Sequence, residues 1–125
     1  MVNCVVVGLG NMGWRYDANT TGVLTHAKAI YEHPQQQLVA AVDPNPQACN
    51  ELEQAYPLVE TFANLHAAAA KHRLDWIILA LPTHLHFSAF FEALSFNPKV
   101  IVCEKPLAPS VAEASEMLRC AKEQG

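Results

Sequence analysis

Val5-Val6-Val7-Gly8-Leu9-Gly10-Asn11-Met12-Gly13 decides the fold of this chain. An apolar β-branched run enters a G-x-G-x-x-G turn, the pattern of a buried strand feeding a dinucleotide-binding loop. Glycine turns are common, so the spacing alone says little; its position directly after a buried-strand pattern gives it weight. Gly8 permits the tight strand-to-helix turn, because a residue without Cβ takes backbone angles that others avoid. Gly10 lets the main chain approach a pyrophosphate, and Gly13 lets the following segment pack closely on the strand. Backbone N–H groups at the start of that segment then point outward unpaired, where a helix dipole favours negative charge, and Leu9, Asn11 and Met12 are read with the glycines as cofactor-binding.

Outward from this turn, strands and helices alternate five times. The predicted strands are Val2–Val7, Leu38–Val42, Val59–Phe62, Asp75–Leu81 and Lys99–Cys103. Helices are read from Thr25 to Glu32, from Pro44 and Pro46 to Tyr56, from Asn64 to His72, from Pro82-Thr83-His84 to Phe96, and from Ser110 to Gln124. Thr25 and Asn64 serve as N-caps, and Ser110-x-x-Glu113 reads as a capping box. Such alternation implies an α/β, doubly wound parallel sheet, with strand order 3-2-1-4-5 and a ligand crevice between strands one and four. The whole of residues 1–125 reads as one dinucleotide-binding domain. Between Gly13 and the first helix, Trp14–Leu24 has turn-forming composition and no helical stripe, so the first crossover carries an insertion.

Three further stretches carry chemistry. Asp43 stands at the end of strand two, where a carboxylate accepts from both ribose hydroxyls and repels a 2′-phosphate. No Arg or Lys follows in Pro44-Asn45-Pro46-Gln47, so NAD is favoured over NADP; the plainer role for Asp43 is to cap the next helix. Leu81-Pro82-Thr83-His84-Leu85-His86 leaves strand four at the crevice, with Thr83 toward the nicotinamide ribose and His86 packed beneath the cofactor. The i, i+2 spacing of His84 and His86, with no nearby Cys or carboxylate to complete a set, argues against a metal site. Glu104-Lys105-Pro106 closes strand five, where a lysine ammonium can polarise a hydroxyl or carbonyl, or else simply pair with Glu104 in solvent.

Composition sets the outer bounds. The chain is 51% apolar with a net charge of −4 and no basic block, which excludes a nucleic-acid-binding role. No apolar run approaches the ~20 residues of a membrane span, and no signal peptide is read. Four cysteines without a C-x-x-C pair are read as reduced thiols in a cytoplasmic protein.

Together these stretches resemble the glucose–fructose oxidoreductase/inositol dehydrogenase/rhizopine-catabolism (Gfo/Idh/MocA) family. The resemblance rests on Gly8–Gly13, Val42-Asp43-Pro44-Asn45-Pro46, Pro82-Thr83-His84-Leu85-His86 and, most specifically, Glu104-Lys105-Pro106-Leu107-Ala108. It implies an NAD(P)-dependent oxidoreductase acting on a hydroxyl or carbonyl of a sugar, cyclitol or similar small molecule. It also implies that Lys105 is catalytic, that Gly8, Gly10, Gly13 and Asp43 hold the adenosine diphosphate half, and that Leu81, Pro82, Thr83 and Glu104 border the nicotinamide. Leu81 departs from the Thr or Ser usual before the proline, and the insertion resembles a variant subgroup with Tyr16-Asp17 and Thr25-His26.

Family enzymes continue into a second, α+β domain that supplies most of the substrate pocket and a catalytic histidine. That domain is absent from these 125 residues, so the chain alone is expected to turn over slowly or not at all. An open edge at strand five is expected to promote self-association. A stand-alone NAD(H)-binding sensor or partner subunit is the alternative reading, and another nucleotide ligand such as S-adenosylmethionine or FAD leaves the strand-five lysine unexplained.

Overall fold

A computed structural model describes residues 1–10, 25–105 and 107–124. Asn11, Met12, Gly13, the insertion Trp14–Leu24 and Pro106 lie outside the described residues. Five parallel strands, β1 (Val2–Val7), β2 (Gln36–Val42), β3 (Glu60–Phe62), β4 (Trp76–Leu79) and β5 (Val100–Cys103), form one sheet in the order β3-β2-β1-β4-β5. This is the doubly wound order read from the sequence. β1 lies at its centre, flanked on both sides, which is why its side chains are apolar in both directions.

Helices α1 (His26–Glu32) and α2 (Pro46–Ala55) cover one face. Ala27, Ile30, Ala48, Cys49 and Leu52 pack there against Cys4, Val6, Ala41 and Ile78. Helices α3 (Leu65–Lys71), α4 (His86–Leu94) and α5 (Val111–Gln124) cover the other. There Leu65, Ala68, Phe90, Ala93 and Met117 pack on Val5, Val7, Ile77 and Leu79. Ile77 and Leu79 are fully buried, and each such side chain contributes about 1.5–3 kcal/mol of burial.

The helix starts follow the capping chemistry. Thr25 Oγ1 accepts from the Lys28 N–H at 3.4 Å and Asn64 Oδ1 from the Ala67 N–H at 2.8 Å. Ser110 Oγ accepts from the Glu113 N–H at 3.2 Å. Asn45 caps α2, with Pro46 following it in the first turn, where a missing N–H costs nothing.

Several boundaries differ from the sequence reading, most by a single residue. β2 begins at Gln36 because Gln36 and Gln37 pair with Val2 and Asn3, a contact that polar side chains hide from a hydropathy pattern. β4 ends at Leu79 rather than Leu81, since Pro82 has no N–H to give and the Leu81 carbonyl meets a side chain. A 3₁₀ turn over Thr83–Leu85 then precedes α4, which ends at Leu94; Asn97, at φ +52°, takes the chain out of the helical path.

Candidate functional site

The strands point their carboxyl ends to one edge, and the loops that leave them there carry every candidate site residue that lies among the described residues. Gly8 takes φ +101°, and a Cβ on it would stand 2.6 Å from the Ala80 carbonyl oxygen. The close approach is fixed by two hydrogen bonds: the Gly8 N–H donates to the Val42 carbonyl and the Ala80 N–H to the Val7 carbonyl, each at 2.8 Å. Leu9 is buried, its side chain packed under the turn among the residues of α1 and α2. Gly10 is exposed, and a Cβ built on it meets nothing within 4 Å. Among the described residues nothing demands glycine at that position; the open space suits a phosphate group approaching the main chain.

Asp43 reaches back to this turn. Its Oδ2 accepts from the Leu9 N–H at 2.9 Å and its Oδ1 from the Asn45 N–H at 2.8 Å. The helix cap therefore belongs to Asn45, while Asp43 ties the end of β2 to the glycine turn. Each carboxylate oxygen has about two acceptor positions, so one remains on each for a hydroxyl donor. Two adjacent acceptors beside an open glycine turn suit a ribose diol joined to a diphosphate.

Across the crevice, β4 and β5 supply the other wall. Glu104 is half-buried, and its N–H donates to the Leu79 carbonyl at 3.3 Å. Its Oε1 meets His26 Nε2 of α1, seventy-eight positions away in the chain. The Glu104 carboxylate is thus turned toward α1. Lys105 is exposed and has no hydrogen bond or ion pair among the described residues. An ammonium without an internal partner beside a ligand crevice is available to a substrate oxygen.

The remaining predicted residues occupy the loop after β4. Leu81 and Thr83 are half-buried, and Pro82 and His84 are exposed. His86 is 1% exposed, with Nε2 2.8 Å from the Leu81 carbonyl oxygen and Nδ1 3.1 Å from the Leu107 carbonyl oxygen. Among the described residues no group of three His, Cys, Asp or Glu could hold a metal ion. Cys103, next to Glu104, is no nucleophile: burial, aided by the Glu104 carboxylate, pushes its thiol up to about 11. His26 entered the sequence reading only in the Thr25-His26 pair of a variant subgroup; its contact with Glu104 is what the structure adds.

A sizeable apolar groove lies elsewhere, beside β5 and between α4 and α5. It measures about 590 Å³ and is walled by Phe90, Leu94, Ile101, Met117 and Leu118. It has no link to the glycine turn.

Residues 2–125 match the family described as an oxidoreductase family with an NAD-binding Rossmann fold, Gfo/Idh/MocA. The chain belongs to that family. Among curated relatives, the uncharacterised oxidoreductase YgjR of Escherichia coli is 31% identical over 96 residues, 77% of this chain and 29% of YgjR. The 2,7-anhydro-N-acetylneuraminate hydratase of Escherichia coli is 27% identical over the whole of this chain and 30% of its own length. Among solved structures, the WlbA dehydrogenase from Bordetella pertussis, in complex with NADH and UDP-GlcNAcA, superposes with a TM-score of 0.82 at 26% identity. The match covers 99% of this chain and 34% of WlbA. The chain therefore spans about a third of the length of these relatives and corresponds to the NAD-binding Rossmann domain of the Gfo/Idh/MocA family. NADP also occurs in this structural group, in the ketoreductase KijD10 of Actinomadura kijaniata.

Proposed function

We propose that this chain is the cofactor domain of an oxidoreductase that passes hydride between NAD(H) and a hydroxyl or carbonyl carbon of a sugar, cyclitol or similar small molecule. When bound, the nicotinamide supplies hydride acceptance or donation. The chain's own residues divide the remaining work. The turn at Gly8, Leu9 and Gly10, continued by Asn11, Met12 and Gly13, receives the diphosphate, and Asp43 receives the adenosine ribose. Leu81, Pro82, Thr83 and Glu104 border the nicotinamide end. Lys105 holds and polarises the substrate oxygen, easing the change in charge there as the carbon gains or loses hydride.

The observation that carries this reading is the contrast between neighbours. Glu104 is engaged by His26, so the adjacent Lys105 is left without a partner among the described residues at the open edge. The relatives' greater length supports a substrate pocket completed by further chain. The open edge of β5 and the apolar groove beside it are surfaces for that chain or for a second copy. Burial raises the thiols of Cys4, Cys49 and Cys103, which suits unreactive cysteines in a reducing cytoplasm. No described helix is long and apolar enough to cross a membrane.

Two substitutions test the assignment. Calorimetric titration of Asp43→Ala should show NADH binding weakened about tenfold, with discrimination against NADPH relaxed. An unchanged preference between the two nucleotides removes Asp43 from the site. In the complete enzyme, Lys105→Ala should lower kcat by at least about a hundredfold; unchanged turnover removes Lys105 from the chemistry.

A further inference from the structure

His86 is the most buried ionisable side chain at the carboxyl edge, and no step above uses it. It is the first residue of α4, and its ring lies between two loops that leave adjacent strands. On one side is the carbonyl of Leu81, after β4; on the other is the carbonyl of Leu107, after β5. Both partners are acceptors, so the ring serves them as a donor: a neutral imidazole donates to one, and a ring with a proton on each nitrogen donates to both. Neither contact is needed to start the helix, since Leu85 closes the preceding turn through its own N–H to the Pro82 carbonyl at 2.9 Å. The ring instead links the Leu81 carbonyl to the Leu107 carbonyl, one on each of the two loops.

With the diphosphate on the β1 turn and the ribose on Asp43, the other half of a dinucleotide runs toward β4 and β5. That is the side His86 braces. We infer that His86 is a positioning residue: it contacts neither cofactor nor substrate, but holds the Leu81 and Leu107 loops at the spacing that seats the nicotinamide half beside Lys105. The inference rests on the cofactor reading proposed above. It assigns the adenosine half and the nicotinamide half to separately supported walls of the crevice.

The test compares NADH with ADP-ribose, which lacks the nicotinamide, by titration into the 125-residue chain. His86→Leu should weaken NADH binding about tenfold while ADP-ribose binding stays within about twofold, the effect of one or two lost hydrogen bonds confined to one wall. His86→Gln places an amide near the Nε2 position and should recover most of the loss. Should His86→Leu fail to fold, His86→Asn keeps a polar group near Nδ1 but not Nε2, and the same selective loss of NADH is expected. Parallel loss of both ligands in a folded variant, or no loss of either, overturns the inference. If the unsubstituted chain binds neither ligand, the cofactor reading itself falls.

Discussion

The two edges of the sheet each carry a carboxylate at a strand end, and the two are used in opposite ways. At the amino edge, Asp75 Oδ2 accepts from the Asn3 N–H at 3.0 Å, and Oδ1 lies 3.3 Å from Arg73 Nε and 3.9 Å from Lys99 Nζ. Its backbone carbonyl also accepts from the N–H groups of Lys99 and Val100. One residue thus staples the starts of β1, β4 and β5, and its side chain is only 10% exposed. At the carboxyl edge, Asp43 also holds two N–H groups, yet it stands beside an open glycine turn and keeps acceptor positions free. Across from it, Lys105 has no partner among the described residues. The amino edge satisfies its polar groups internally and serves stability. The carboxyl edge leaves some of them without a partner among the described residues, as the proposed cofactor site requires.

The largest effect that would sharpen this comparison comes from Gly8, the point where the open edge depends on its own backbone. Gly8→Ala combines a positive φ with a Cβ pressed against the Ala80 carbonyl, so a loss of about 3 kcal/mol is expected. Urea denaturation measures it, and a loss under about 1 kcal/mol contradicts the packing described.

The same substitution at Gly10 should behave differently. Its Cβ enters open space at an ordinary φ, so stability should change by no more than about 0.5 kcal/mol. NADH affinity should nonetheless fall about tenfold as the methyl group displaces the diphosphate. If Gly10→Ala binds NADH unchanged, the open space is not the diphosphate site and the contrast between the edges weakens.

The smallest effect belongs to Asp75→Asn, which keeps an oxygen for the Asn3 N–H and removes only the charge. The Asn3 N–H, with Arg73 and Lys99 nearby, holds the Asp75 carboxyl below the usual range despite the opposing effect of burial. A lowered native pKa contributes stability that is fully present above the unfolded value of about 3.9 and is lost as pH falls through the native one. Urea midpoints of the two proteins should therefore differ at neutral pH and converge in acid. A difference that persists unchanged at the lowest pH would trace the effect to packing rather than charge.

The architecture was legible because its signals are local. β-branched runs, glycine and proline punctuation, and the capping residues Thr25, Asn64 and Ser110 act within a few residues of themselves, and alternation then restricts the sheet order. Boundaries were less legible where pairing rather than hydropathy sets them, as at Gln36 and Leu81. In the candidate site, Asp43 and Lys105 could be singled out because each stands at the end of an apolar run. The partnership of His26 with Glu104 could not, because nothing near either residue in the chain records the other.

By itself, then, the sequence determined the doubly wound fold and the carboxyl-edge positions of the candidate site residues. Only the tertiary structure decided how those residues are employed. Gly8 and Gly10 are the same letter in one motif, yet one is required by a carbonyl seventy-two positions away and the other by nothing among the described residues. His86, read from the sequence as packing beneath a cofactor, is buried with its ring between the carbonyls of Leu81 and Leu107, contacts that no spacing in the chain records. Periodicity and spacing report a residue's neighbours along the chain; hydrogen bonds and steric exclusion depend on neighbours in space, which exist only once the sheet has assembled.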